Sequence, residues 1–124
     1  MDINIFNNSD QAPKPKDEIR IEALTATPYP DRRRVHVQIS VTPFRERPNL
    51  LLVAHNEQDV MVGELDIIAT MHFDMEFTLH VRNIQGDPEG LYNLTAELFY
   101  ETRNPPQDEK IITFEIPSEN ATET

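Results

Sequence analysis

Gly86-Asp87-Pro88-Glu89-Gly90-Leu91-Tyr92-Asn93-Leu94-Thr95-Ala96-Glu97-Leu98-Phe99-Tyr100 joins a turn signal to the longest clean alternation in the chain. Tyr92, Leu94, Ala96, Leu98 and Tyr100 recur at every second position, which places them on one face of a strand. Asn93, Thr95 and Glu97 fall on the opposite face, the pattern of an antiparallel strand with one side buried. The Gly-Asp-Pro-Glu-Gly corner just before it is a chain reversal.

Upstream, the same period returns in Met75–Arg82, where Met75, Phe77, Leu79 and Val81 alternate with Glu76, Thr78 and His80. It returns again in Arg34–Thr42, with Val35, Val37, Ile39 and Val41 on one face. A first strand is expected over Glu18–Ala26 with Ile19, Ile21 and Ala23 inward, ended by Pro28-Tyr29-Pro30-Asp31. Asn49–His55 carries Leu50, Leu51, Leu52 and Val53 in succession, so both of its faces are apolar. A short piece at Val60–Val62, a strand at Glu64–Thr70 and a last strand at Lys110–Pro117, with Ile112, Phe114 and Ile116 inward, complete the set. Short strands separated by turns, with no credible helical stretch, predict an all-β fold, and the ten prolines and three glycines suit strand ends and edges.

An acidic residue, Gly, any residue and Tyr at the start of such a strand, here Glu89-Gly90-Leu91-Tyr92 within Asp87–Tyr92, resembles the tyrosine corner of immunoglobulin-like and fibronectin type III-like domains. The resemblance implies an antiparallel immunoglobulin-like β-sandwich of seven to eight strands over residues 18–117. A flexible N-terminal arm over 1–17 and a flexible C-terminal tail over 118–124 flank it, by their polar, Pro- and Lys-containing composition. The chain departs from antibody domains in having no Cys and no Trp. Domains of this kind serve mostly as binding or spacer modules, an association with the fold rather than with a site.

Composition narrows the function. Without cysteine there is no disulfide framework, thiolate metal site or cysteine nucleophile. A formal net charge of −11 argues against nucleic acid as a partner, since that affinity rests on a basic surface. The start Met1-Asp2-Ile3-Asn4 has no basic and apolar signal pattern, and no run approaches a membrane span, so a cytoplasmic location with no membrane partner is expected. The serines are Ser9, Ser40 and Ser118, none in a Gly-x-Ser-x-Gly elbow, and three scattered glycines build no phosphate loop. The expectation is a protein that is not an enzyme and needs no cofactor. The sequons at Asn7, Asn93 and Asn120 are chance matches in such a setting.

The expected function is a non-enzymatic protein-interaction or accessory module, binding a protein partner or forming a homodimer. Its candidate interface is Leu50, Leu52, Phe99 and Ile111, apolar residues that alternation or the doubled apolar run places on the outer face of the sheet holding strands 49–55, 90–100 and 110–117, strands C, F and G of the immunoglobulin scheme. Arg32, Arg33 and Arg34 form a candidate basic patch, expected near Asp87 and Glu89, where charge balancing of an acidic corner competes with binding of an anionic partner. Two alternatives remain: a small metal-binding or hydrolytic protein using outward His36 and His80 with Glu76 or Glu22, and a structural spacer domain of a longer chain.

Overall fold

The computed structural model describes residues 12–119. Seven antiparallel strands form two sheets: β1 (Ile21–Pro28), β2 (Arg34–Val41), β3 (Asn49–His55), β4 (Met61–Ile67), β5 (Asp74–His80), β6 (Gly90–Phe99) and β7 (Asp108–Ile116). One sheet has the order β1-β2-β5, the other β4-β3-β6-β7. This is the expected immunoglobulin-like sandwich, with the fourth strand added to the edge of the β3-β6-β7 sheet.

The core lies between the sheets and is made by the alternating residues. Val35, Val37, Ile39 and Val41 of β2 face Leu94, Ala96 and Leu98 of β6, with Leu79, Phe114 and Ile116 among those closing the layer. Each fully buried side chain of this size contributes about 1.5–3 kcal/mol of transfer free energy. At the corner, the Tyr92 hydroxyl donates to the carbonyl of Pro88 at 2.5 Å, and its ring stacks on Phe114 with centroids 5.4 Å apart. The tyrosine corner is therefore formed as its motif implies.

Three expectations change. β1 carries a bulge between Ile21 and Ala23, so the inward phase passes to Leu24 and Ala23 is exposed; an extra residue in one strand flips every later side chain. The pieces expected at 60–62 and 64–70 are one strand, β4, whose third residue, Gly63, passes close to β5. The last residues of the expected arm belong to the domain: Lys14 forms a parallel bridge with Phe44, Lys14 N–H donates to Pro43 O at 2.9 Å, and Lys16–Glu18 form a 3-10 turn. The rest of that arm, 1–11, and the tail from 120 onward lie outside the described residues.

The two flanks of the sandwich differ. Along β1 and β7, Asp108 accepts the Ile21 N–H at 2.8 Å, and the Gln107 side-chain amide donates to the carbonyls of Lys16 and Ile19 at 2.6 and 2.8 Å. Along β4 and β5 the connections gather at one end, where Arg82 N–H donates to Val62 O at 2.6 Å and the Asn83 amide donates to Met61 O at 3.2 Å. A cleft of about 290 Å³ opens there, between Gly63, Glu64 and Leu65 on one wall and Thr78, His80 and Arg82 on the other.

Candidate functional site

The outer face of the four-stranded sheet follows from strand register. Leu51 stands opposite Asp66 on one side and Glu97 on the other, and Glu97 is in turn opposite Glu109. In the next row Val53 lies between Glu64 and Thr95, and Thr95 is opposite Ile111. Two cross-strand rows, Asp66-Leu51-Glu97-Glu109 and Glu64-Val53-Thr95-Ile111, thus set a small apolar strip among four carboxylates. Arg103 donates to Glu97 at 3.0 Å, whereas Glu64, Asp66 and Glu109 make no ion pair or side-chain hydrogen bond among the described residues.

Of the expected interface residues, Ile111 is on this face and 58% exposed, and Phe99 is there half-buried, opposite Asn49. Leu50 and Leu52 are not: both are 0% exposed and point into the core. Leu51 and Val53 take the outer positions instead. The choice of phase is physical, since Asn49 and His55 share the parity of Leu51 and Val53, and inverting the strand would bury both polar ends. The polarity of those two terminal residues was the sequence signal that resolves the doubled apolar run.

The basic run divides. Arg32 holds Asp87 with two bonds, at 2.9 and 3.1 Å, and also donates to Pro117 O at 3.2 Å. Hydrogen bonds from Arg32 and from the Glu89 N–H keep the Asp87 carboxyl below the usual carboxylate range. Arg34 donates to Asp31 at 2.7 Å and lies 4.6 Å from the centre of the Tyr29 ring. Bonds from the Arg33 backbone N–H and the Arg34 side chain lower Asp31 likewise. Two of the three guanidinium groups are thus spent inside the turn and its contact with the 86–90 corner, which is charge balancing in structural form.

The histidine pair is not directly cross-strand. His36 is opposite Thr78 and His80 is opposite Arg34, so the two are diagonal neighbours. His36 Nε2 lies 3.0 Å from a carboxylate oxygen of Glu76. Among the described residues no three His, Asp or Glu side chains group as a ligand set, and no helix is long and apolar enough to cross a membrane. A second cleft, about 410 Å³, lies at the corner end between Asn56–Val60 and Asn83–Tyr92, with Val60 and Leu91 at its surface.

Architecture and register define the molecule as an immunoglobulin-like β-sandwich. Its fold is similar to part of a glycosyl hydrolase family 2 member from Bacteroides cellulosilyticus DSM 14838, with a TM-score of 0.53 and 16% identity over 79% of this chain and 15% of that one. It is similarly like part of Bifidobacterium dentium beta-glucuronidase, solved with coumarin-3-O-glucuronide, with a TM-score of 0.53 and 16% identity over 79% of this chain and 18% of that one. At this identity the likeness is one of fold alone. No protein-family model matches the chain, and no curated protein matches it in sequence.

Proposed function

We propose that this sandwich is a non-enzymatic accessory domain that binds a protein partner through the outer face of the β4-β3-β6-β7 sheet. The observation that carries the reading is Ile111: a large aliphatic side chain, 58% exposed, in one cross-strand row with Thr95 and Val53 and beside the row that holds Glu97 and Glu109. An apolar centre with a charged rim is the anatomy of an interface. The rim also selects the partner. A two-fold contact of the face with itself sets Glu64, Asp66, Glu97 and Glu109 against an identical acidic set, whereas a partner with lysine or arginine around an apolar centre is complementary. We therefore favour a different, basic protein surface over a homodimer.

A spacer role within a longer chain is the second reading. It is favoured by the likeness of the chain to segments that make up 15% and 18% of two much larger enzymes.

Site-specific photocrosslinking separates the two. A benzoylphenylalanine replaces Ile111 in one variant and Gln38, exposed on the other sheet, in a second. The interaction reading predicts adducts with another protein from position 111 only, weakened by salt. No adduct from either position, or equal adducts from both, would overturn it.

A further inference from the structure

Each sheet edge exposes backbone groups that another strand can use, and the four edges here, β1, β5, β4 and β7, differ in what engages them. β1 is bulged and its Ile21 N–H is taken by Asp108, and β7 flanks it there. On β5, Asp74 accepts the Ser40 hydroxyl at 2.6 Å and Glu76 is paired with His36. β4 differs. Beyond Met61 and Val62, whose carbonyls are taken by Asn83 and Arg82, the segment Glu64–Ile67 is an edge with half-buried Leu65 and Ile67 on its inner side. On its outer side are the unpartnered carboxylates of Glu64 and Asp66.

We propose that the Glu64–Ile67 edge takes up an extended segment of a partner as a fifth strand, and that this segment alternates basic with aliphatic residues. The chemistry follows from the pleat. In an added strand every second side chain stands beside Glu64 and Asp66, where lysine or arginine is complementary. The side chains between them stand beside Leu65 and Ile67, where aliphatic groups complete the burial that those residues lack. Main-chain bonds supply affinity and the alternation supplies specificity. A second copy of β4 is a poor occupant, because its own Glu64 and Asp66 would meet the same two carboxylates. This edge lies beside the face proposed above as the interface but does not require Ile111.

The test uses the full chain and two capped peptides of identical composition, one alternating lysine and valine, the other with the lysines and valines in separate blocks. Binding is followed by amide chemical shifts. The alternating peptide should bind about tenfold more tightly than the block peptide, with shifts concentrated at Gly63–Ile67. The double variant Glu64→Lys with Asp66→Lys should lose about tenfold or more, while Gln38→Ala, at an exposed position on the other sheet, should leave the affinity within about twofold. Equal affinity for the two peptides would reduce the effect to attraction by net charge and overturn the proposal. So would shifts centred on β5 or β7, or no binding of either peptide.

Discussion

Arg32 grips both carboxylate oxygens of Asp87, tying the turn between β1 and β2 to the corner that precedes β6. Arg32 does so from a backbone with φ of 62°, a left-handed conformation that the tight turn requires. Because the bond depresses the Asp87 carboxyl below its ordinary value of 3.8, its contribution is present in full above that pH. It is lost as pH falls through the lower folded-state value. Asp31, lowered by its own turn bonds, acts in the same direction. Urea unfolding followed from pH 7 to pH 2 should therefore show stability declining below about pH 4, and Asp87→Asn should be less stable at neutral pH with a shallower decline.

The hydroxyl of Tyr92 is the whole difference between this residue and phenylalanine. Tyr92→Phe keeps the stacking on Phe114 and leaves the Pro88 carbonyl without its donor. A loss of about 1–3 kcal/mol in chemical denaturation is expected, with the fold unchanged. A near-zero effect would mean that the corner contributes no stability.

Tyr100 provides a signal at the alkaline end. Burial foremost, then the nearby Glu46 carboxylate, pushes its phenol from 10.0 to about 12. The fold thus favours the neutral phenol, and that stabilisation is present below pH 10 and is lost as pH rises toward about 12. Phenolate absorbance should show a step near pH 12 that is missing in Tyr100→Phe.

Gly63 of β4 lies against the end of β5 in the other sheet. A Cβ there would lie 3.0 Å from the backbone oxygen of His80 and 3.1 Å from Leu79 side-chain carbons. The oxygen belongs to the main chain and has no rotamer to escape into. Gly63→Ala should cost about 1–3 kcal/mol, where alanine would ordinarily improve on glycine in a strand.

Much of the architecture was legible because β2, β5 and β6 alternate without error, and period-two alternation under one buried face leaves no second solution. The corner motif then supplied the order of the elements around it. Other features were illegible for identifiable reasons. The bulge in β1 is one extra residue with no compositional mark. Lys14 joins Phe44 through the backbone, which side-chain pattern does not record. In β3 four successive apolar residues hid the phase, and only Asn49 and His55 at its ends betray it. The carboxylate rim was invisible as a rim, since Glu64, Asp66, Glu97 and Glu109 converge through strand pairing rather than through spacing.

The same rim yields the measurement closest to the central claim, the molar mass in solution by light scattering coupled to size-exclusion chromatography. On the proposed reading the face takes a basic partner and does not pair with itself, so the account predicts a single-chain mass of 14.3 kDa at low and at high salt. Ile111→Asp should leave that mass, and stability to within about 0.5 kcal/mol, unchanged. A mass near twice the chain that returns to the monomer in Ile111→Asp would contradict it, and would make the outer face a self-interface.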